Sequence, residues 1–226
     1  MKPPFPHLHK VLTGMKASGD DGFEGLLAVS LSSISGCPFR IAGSGIQFGG
    51  DGGAQVDGAE VVFEAKRYQG TTDHESVRKK LGQLVSTKLP PDLWVLGSTA
   101  SVIKQIYDDI DEALSERGVA HLIIEWPDVE LPQLAVLCAS AKADVLDFLK
   151  VKASLSASEV AKVEAELTQI QDSPQFDEIQ ESMVQQLRLA GAGGGVALKN
   201  NVGFFNCVVE DKREAKAKLG QALWPS

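Results

Sequence analysis

In VVFEAKRYQG, residues 61–70, a run with the alternation of a strand carries Glu64 and Lys66 two positions apart. Side chains two apart on a strand leave the same face, with α-carbons roughly 6 to 7 Å from one another. A carboxylate and an ammonium so placed can share one site. Asp57 lies seven residues before Glu64, and a bend or bulge at Gly58 is expected to bring its carboxylate to the same end of the sheet. Two hard oxygen ligands with open positions suit Mg2+, which keeps waters and takes substrate phosphate oxygens as its remaining ligands. An ammonium beside such an ion steadies charge on a phosphate under attack and helps orient the attacking water. The competing reading of the bare ExK is a half-exposed strand whose charges meet solvent.

The elements needed to position these groups can be read from periodicity. From Asp20 to about Ser35, Phe23, Leu26, Leu27 and Ile34 follow helical spacing, interrupted by Ser30, with Asp20 or Asp21 as cap. CPFRIAGSGIQFGG then predicts a strand around Phe39 to Ala42 and a glycine-rich turn, and Val56 to Phe63 a second, hairpinning strand. Over residues 60–66 one parity holds Val61, Phe63 and Ala65, and the other Glu60, Val62, Glu64 and Lys66, so one face is dry and one polar. Residues 73–87 predict a helix capped near Asp73, residues 93–98 a buried strand, SVIKQIYDDIDEALSERG a helix ended by Gly118, and AHLIIEWP a strand stopped by Pro127. The order α-β-β-β-α-β-α-β implies a mixed sheet in a three-layer α/β domain over residues 1–130.

Residues 131–226 change texture, with helices expected over 133–150, 156–171 and 175–189. LAGAGGGVALKNN lacks the GK[ST] of a phosphate loop and reads as a flexible connector. VGFFNCVVED and KREAKAKLGQAL read as a terminal strand and helix, and the close on LWPS suggests the front part of a longer protein.

Composition excludes several classes. No apolar run approaches the ~18 residues of a membrane span, and MKPPFPHLHK lacks the apolar centre of a secretory signal, so a cytoplasmic protein without a membrane partner is expected. Cys37, Cys138 and Cys207 show no CxxC spacing, which argues against both a disulfide framework and a zinc site. His7 and His9 sit in a proline-rich start that argues against an ordered metal pair, and His74 and His121 lack partners at ligand spacing. The net charge of -8 disfavours nucleic acid at first sight, yet 20 of the 30 acids fall after residue 107. Between residues 66 and 88, Lys66, Arg67, Arg78, Lys79, Lys80 and Lys88 outnumber Asp73 and Glu75. That patch can meet phosphates or form a solvated helix face.

GGDGGAQVDG followed by VVFEAKRYQG, with GFEGLLAVSL on the preceding helix, resembles the Mrr-like restriction endonuclease branch of the PD-(D/E)xK nuclease superfamily. The likeness covers residues 22–70 and implies a restriction-endonuclease-like core, here followed by a mainly helical extension. It also implies a Mg2+-dependent endonuclease, with Mn2+ able to substitute, that hydrolyses phosphodiester bonds in double-stranded DNA. Carried over by position, the metal-binding aspartate falls on Asp57, the second acid on Glu64, the catalytic lysine on Lys66, and a helical acid that reaches the metal directly or through water on Glu24. Asp51 is left as an outer partner or a turn former. QV stands where GI more usually precedes the aspartate. Such domains sit at one end of larger restriction or antiphage-defence proteins, which would make this chain an N-terminal effector; a further reading takes residues 128–226 as an oligomerisation or regulatory arm, giving a homo-oligomer.

Arg67 follows on the strand and is expected at a phosphate, whereas Tyr68 is expected to pack. Arg78, Lys79, Lys80 and Gln83 on the next helix are the remaining candidates for DNA contact. The alternative function is a nuclease fold without its chemistry, retained as a DNA-binding or assembly module.

Overall fold

The computed structural model describes residues 3–43, 50–70 and 73–189. The connector from residue 190 and the terminal strand and helix expected after it lie outside the described residues, as does Gly49.

A single five-stranded sheet runs in the order β1 (Arg40–Ile41), β2 (Gly52–Val56), β3 (Ala59–Lys66), β4 (Leu93–Ser98) and β5 (Ala120–Ile124). The first three strands are antiparallel and the last two continue parallel to β3, so the sheet is mixed, as expected. β2 and β3 are joined by Asp57 and Gly58 alone, both at positive φ (49° and 90°). Two consecutive left-handed residues form the tight turn whose twist matches a hairpin, and Asp-Gly is among its preferred pairs.

Helix α1 (Pro6–Gly14) and helix α2 (Phe23–Ser35) precede the sheet, α3 (His74–Val85) carries β3 to β4, and α4 (Lys104–Ser115) carries β4 to β5. Parity along the strands sorts the two faces. Val61, Phe63, Leu93, Val95, Leu122 and Ile124 point into one core with Phe23, Leu27 and Leu31 of α2. Val62, Trp94, Leu96 and Ile123 point into a second core with Val77, Leu81 and Leu84 of α3 and Ile106, Ile110 and Leu114 of α4. β4 and β5 are buried throughout because helices cover both faces, the usual setting of parallel strands. The polar face read from residues 60–66 is thus covered by α3 instead of facing open solvent, and Glu64 and Lys66 lie on it.

Four further helices, α5 (Gln133–Ser140), α6 (Lys142–Val151), α7 (Ala157–Gln171) and α8 (Phe176–Leu189), pack on the α2 side. Leu134, Leu137, Val145, Leu149, Val163 and Leu187 belong to the same core as Phe63 and Val95, so residues on both sides of position 130 share it. The single helix expected over 133–150 breaks at Ala141 (φ -101°, ψ 27°). Ser140 donates to the Val136 carbonyl just before the break, a back-bond that bends helices.

The proline-rich start is ordered, contrary to expectation. Pro6 opens α1 where its missing N–H costs nothing, and the buried Glu166 of α7 accepts from the backbone N–H groups of His7 and Leu8. A distant carboxylate therefore supplies the cap that no neighbouring residue provides.

Candidate functional site

Glycines shape the approach of the chain to β3. A β-carbon on Gly52 would stand 2.3 Å from the Arg40 carbonyl oxygen and 2.6 Å from the Phe63 ring, and one on Gly50 would meet Val62 at 2.0 Å. Only a bare backbone fits there, and Asp51 is held between the two. Its N–H donates to the Phe63 carbonyl at 2.7 Å, and its Oδ2 accepts from the Ala65 N–H at 2.9 Å. The β2–β3 ladder ends at Gly52↔Phe63, and the bonds of Asp51 to Phe63 and Ala65 bracket Glu64.

Glu64 is fully buried, and neither of its oxygens has a well-aligned hydrogen bond. Each faces an ammonium instead: Lys66 Nζ lies 2.5 Å from Oε1, and Lys80 Nζ of α3 lies 3.3 Å from Oε2. The same Lys80 nitrogen lies 3.3 Å from Asp51 Oδ1, so it spans both carboxylates. Burial, and next the Asp51 charge, push the Glu64 carboxyl up to about 7 against the pull of Lys66 and Lys80. Burial works against the Lys80 ammonium, but Glu64 and Asp51 outweigh it and hold its pKa above the ordinary value.

Glu24 borders the cluster from the first turn of α2. That turn is positioned by the preceding loop, where Phe23 N–H donates to the Lys16 carbonyl and Gly19 N–H donates to Glu24 Oε2 at 2.9 Å. Burial raises the Glu24 pKa and Asp51 adds to the rise, while the Gly19 hydrogen bond, Lys80 and Lys66 pull it back. Glu24, Asp51, Glu64, Lys66 and Lys80 thus form one electrostatic cluster at the end of β3.

Asp57 is not part of it. It occupies the exposed tip of the β2–β3 hairpin, and Glu64 lies five residues up the strand from Ala59, or about 17 Å at strand rise. The expected bend at Gly58 is a complete reversal, which leaves Asp57 at the tip and Glu64 at the opposite, open end of the hairpin. The acid beside Glu64 is Asp51, which the sequence offers only as an outer partner or turn former. The turn former is Asp57.

The basic residues also divide differently from expectation. Arg67 donates from Nη1 to the Thr13 carbonyl at 2.9 Å and so ties β3 to α1. Arg78 grips Asp109 of α4 through Nε at 2.7 Å and Nη2 at 3.0 Å, and His74 reaches the same carboxylate at 2.7 Å. The hydrogen bonds from Arg78 and His74 hold the Asp109 carboxyl down to about 2. Lys80 faces inward, while Lys79 and Gln83 are exposed on the outer side of α3. Tyr68 is half-buried, as expected, with its hydroxyl on the Asp73 carbonyl at 3.3 Å beside the start of α3. Thr99, which sequence reasoning passed over, braces the segment after Lys66: its N–H donates to the Lys66 carbonyl, and its hydroxyl accepts from the N–H of Tyr68 and donates to the Tyr68 carbonyl.

Among the described residues no group of three or more His, Cys, Asp or Glu side chains is placed to hold a metal ion. Asp51 and Glu64 are nevertheless a pair of hard oxygen donors, and the two oxygens of Glu64 are sealed from water without hydrogen bonds. Such a pair, balanced in this structure by the Lys66 and Lys80 ammonium groups, fits a small dication that takes most of its ligands from solvent and phosphate. No family model, curated protein or solved structure matches this chain.

Proposed function

We propose that the chain is a Mg2+-dependent endonuclease acting on double-stranded DNA, built on a restriction-endonuclease-like core. The observation that carries this reading is the convergence of Asp51 and Glu64 on one Lys80 ammonium, on the strand face from which Lys66 also projects. The order of helix, three antiparallel strands, crossover helix and parallel strand agrees with the fold implied by the sequence likeness. Asp51 and Glu64 would hold the ion, with Glu24 at its margin. When bound, the ion supplies Lewis-acid activation of a water and neutralises charge on phosphate.

The protein's own groups account for the rest. The Ala65 N–H fixes the Asp51 carboxylate, and the sheet fixes Glu64, so neither acid needs to reorganise. Lys66, a short reach from Glu64, presents an ammonium where a phosphate oxygen lying against the acid pair would sit. Lys79 and Gln83 lie on the exposed side of α3, where a nucleic-acid backbone can meet them. Arg67 and Arg78 serve the fold. A chain of net charge -8 binds DNA weakly by itself, which makes assembly into a homo-oligomer or a larger defence protein useful.

One observation favours a second reading, that of an inactive DNA-binding or assembly module: two lysines already balance the two carboxylates. Nicking of supercoiled plasmid DNA decides between them. The enzyme reading expects cutting with Mg2+ or Mn2+, stopped by EDTA and absent in Lys66→Ala. DNA retention without cutting in any divalent metal would establish the module instead.

A further inference from the structure

Lys80 is among the sequence candidates for DNA contact, yet it is drawn into the acid pair. Val77, Leu81 and Leu84 turn into the second core and fix the rotation of the helix. That rotation leaves Lys80 beside the buried stripe, and its side chain, 18% exposed, reaches down to β3. Its ammonium stands 3.3 Å from Asp51 Oδ1 and 3.3 Å from Glu64 Oε2. Asp51 Oδ2 is already engaged by the Ala65 N–H, and Glu64 Oε1 by Lys66. The two oxygens on Lys80 are therefore the ones left to bind a cation jointly, and the ammonium occupies the position between them.

We infer that Lys80 is an internal competitor for the divalent cation, bridging Asp51 and Glu64 until an ion displaces it and frees its ammonium for the phosphate that accompanies the ion. This rests on the metal-dependent reading above and adds a second lysine of different role. Lys66 contacts one acid only and can stay when an ion arrives. Lys80 contacts both and must leave. Its flexible stem, anchored on α3, permits the swing without moving the backbone. The arrangement keeps the acids together without an ion, since two facing carboxylates with nothing between them would repel.

The test is Mn2+ binding to the DNA-free full chain, read from the electron paramagnetic resonance of free Mn2+. Removing the ammonium that the ion must displace from the two carboxylates should tighten binding by about tenfold or more, so Lys80→Met should exceed wild type by that factor and Lys80→Arg should not. Equal affinity in Lys80→Met and wild type would overturn the inference. A second measurement uses unaltered protein: Mn2+ should increase acylation of Lys80 by an amine-reactive reagent several-fold, and unchanged or reduced labelling would overturn it. If Asp51→Asn removes no Mn2+ binding from wild type, the metal site fails and the inference fails with it. If Lys80→Met binds more tightly while no form cuts plasmid DNA, the role of Lys80 stands and the hydrolytic reading falls.

Discussion

Two aspartates six positions apart should respond in opposite ways to substitution. In Asp51→Asn the amide oxygen can still accept from the Ala65 N–H, so the local turn survives, but the carboxylate beside Glu64 is gone. The lost contact to Lys80 leaves that ammonium its Glu64 partner and is offset by relief of the repulsion that Asp51 exerts on Glu64. Stability should therefore stay within about 1 kcal/mol of wild type. Cutting should fall by more than about 100-fold, the upper range for groups that merely support a metal ligand. Asp57→Ala should do the reverse. At φ 49° an alanine pays roughly 1 to 2 kcal/mol for the left-handed conformation, which aspartate tolerates better, so Tm should drop by about 2 to 4 °C for each kcal/mol lost. Its plasmid cutting under conditions where it is folded should match wild type. Paired nicking assays and thermal melts separate the outcomes. An active Asp51→Asn beside an inactive, folded Asp57→Ala would refute the placement of the site.

Glu64 also predicts a pH dependence. Its folded pKa of about 7 lies above the ordinary 4.5, so between these values the folded chain keeps a proton that the unfolded chain has released. Its contribution to stability is complete below pH 4.5 and is lost as pH rises through 7, by about 3 kcal/mol. Urea unfolding of Glu64→Gln between pH 5 and 8 should show a flatter decline than wild type, and identical slopes would contradict the burial argument. Gly52→Ala should cost about 3 kcal/mol or more, because the added carbon meets the Arg40 carbonyl and the Phe63 ring. A Tm within 2 °C of wild type, on the order of measurement error for so small a ΔΔG, would show that the hairpin yields easily.

Much of the fold was legible because the relevant signals are local. The alternation over residues 60–66, the Asp73 cap and the apolar stripe Val77, Leu81 and Leu84 each specify an element without reference to the rest of the chain. Helix α1 was not legible for the complementary reason. Its prolines read as disorder, while the groups that hold it lie far off in sequence: Glu166 at its first turn, and Arg67 at the Thr13 carbonyl near its end. The break at Ala141 carries no proline or glycine to announce it. Lys80 and Arg78 looked equivalent in a basic run, and only the rotation of α3 against Asp109 and Glu64 separates them.

The site itself was legible in part, and the error has a simple geometric origin. Glu64 and Lys66 share a face by parity alone, so their pairing needs no tertiary information. The partner acid depends on where the chain reverses. Asp-Gly with nothing else between two strands is a strong two-residue hairpin signal. Taking it as the turn pairs Val56 with Ala59 and, counting outward, Gly52 with Phe63, which brings Asp51 beside Glu64. Treating Gly58 as a mere bend in one continuous strand moves the partner to Asp57 and leaves the glycines around Asp51 to a tight turn or an approach to nucleic acid. Those glycines were the second clue, since Gly50 and Gly52 press against Val62, Phe63 and the Arg40 carbonyl. A chain that strips the side chains on both sides of one aspartate is bringing that aspartate's backbone against a strand, and here the strand is the one that carries Glu64 and Lys66.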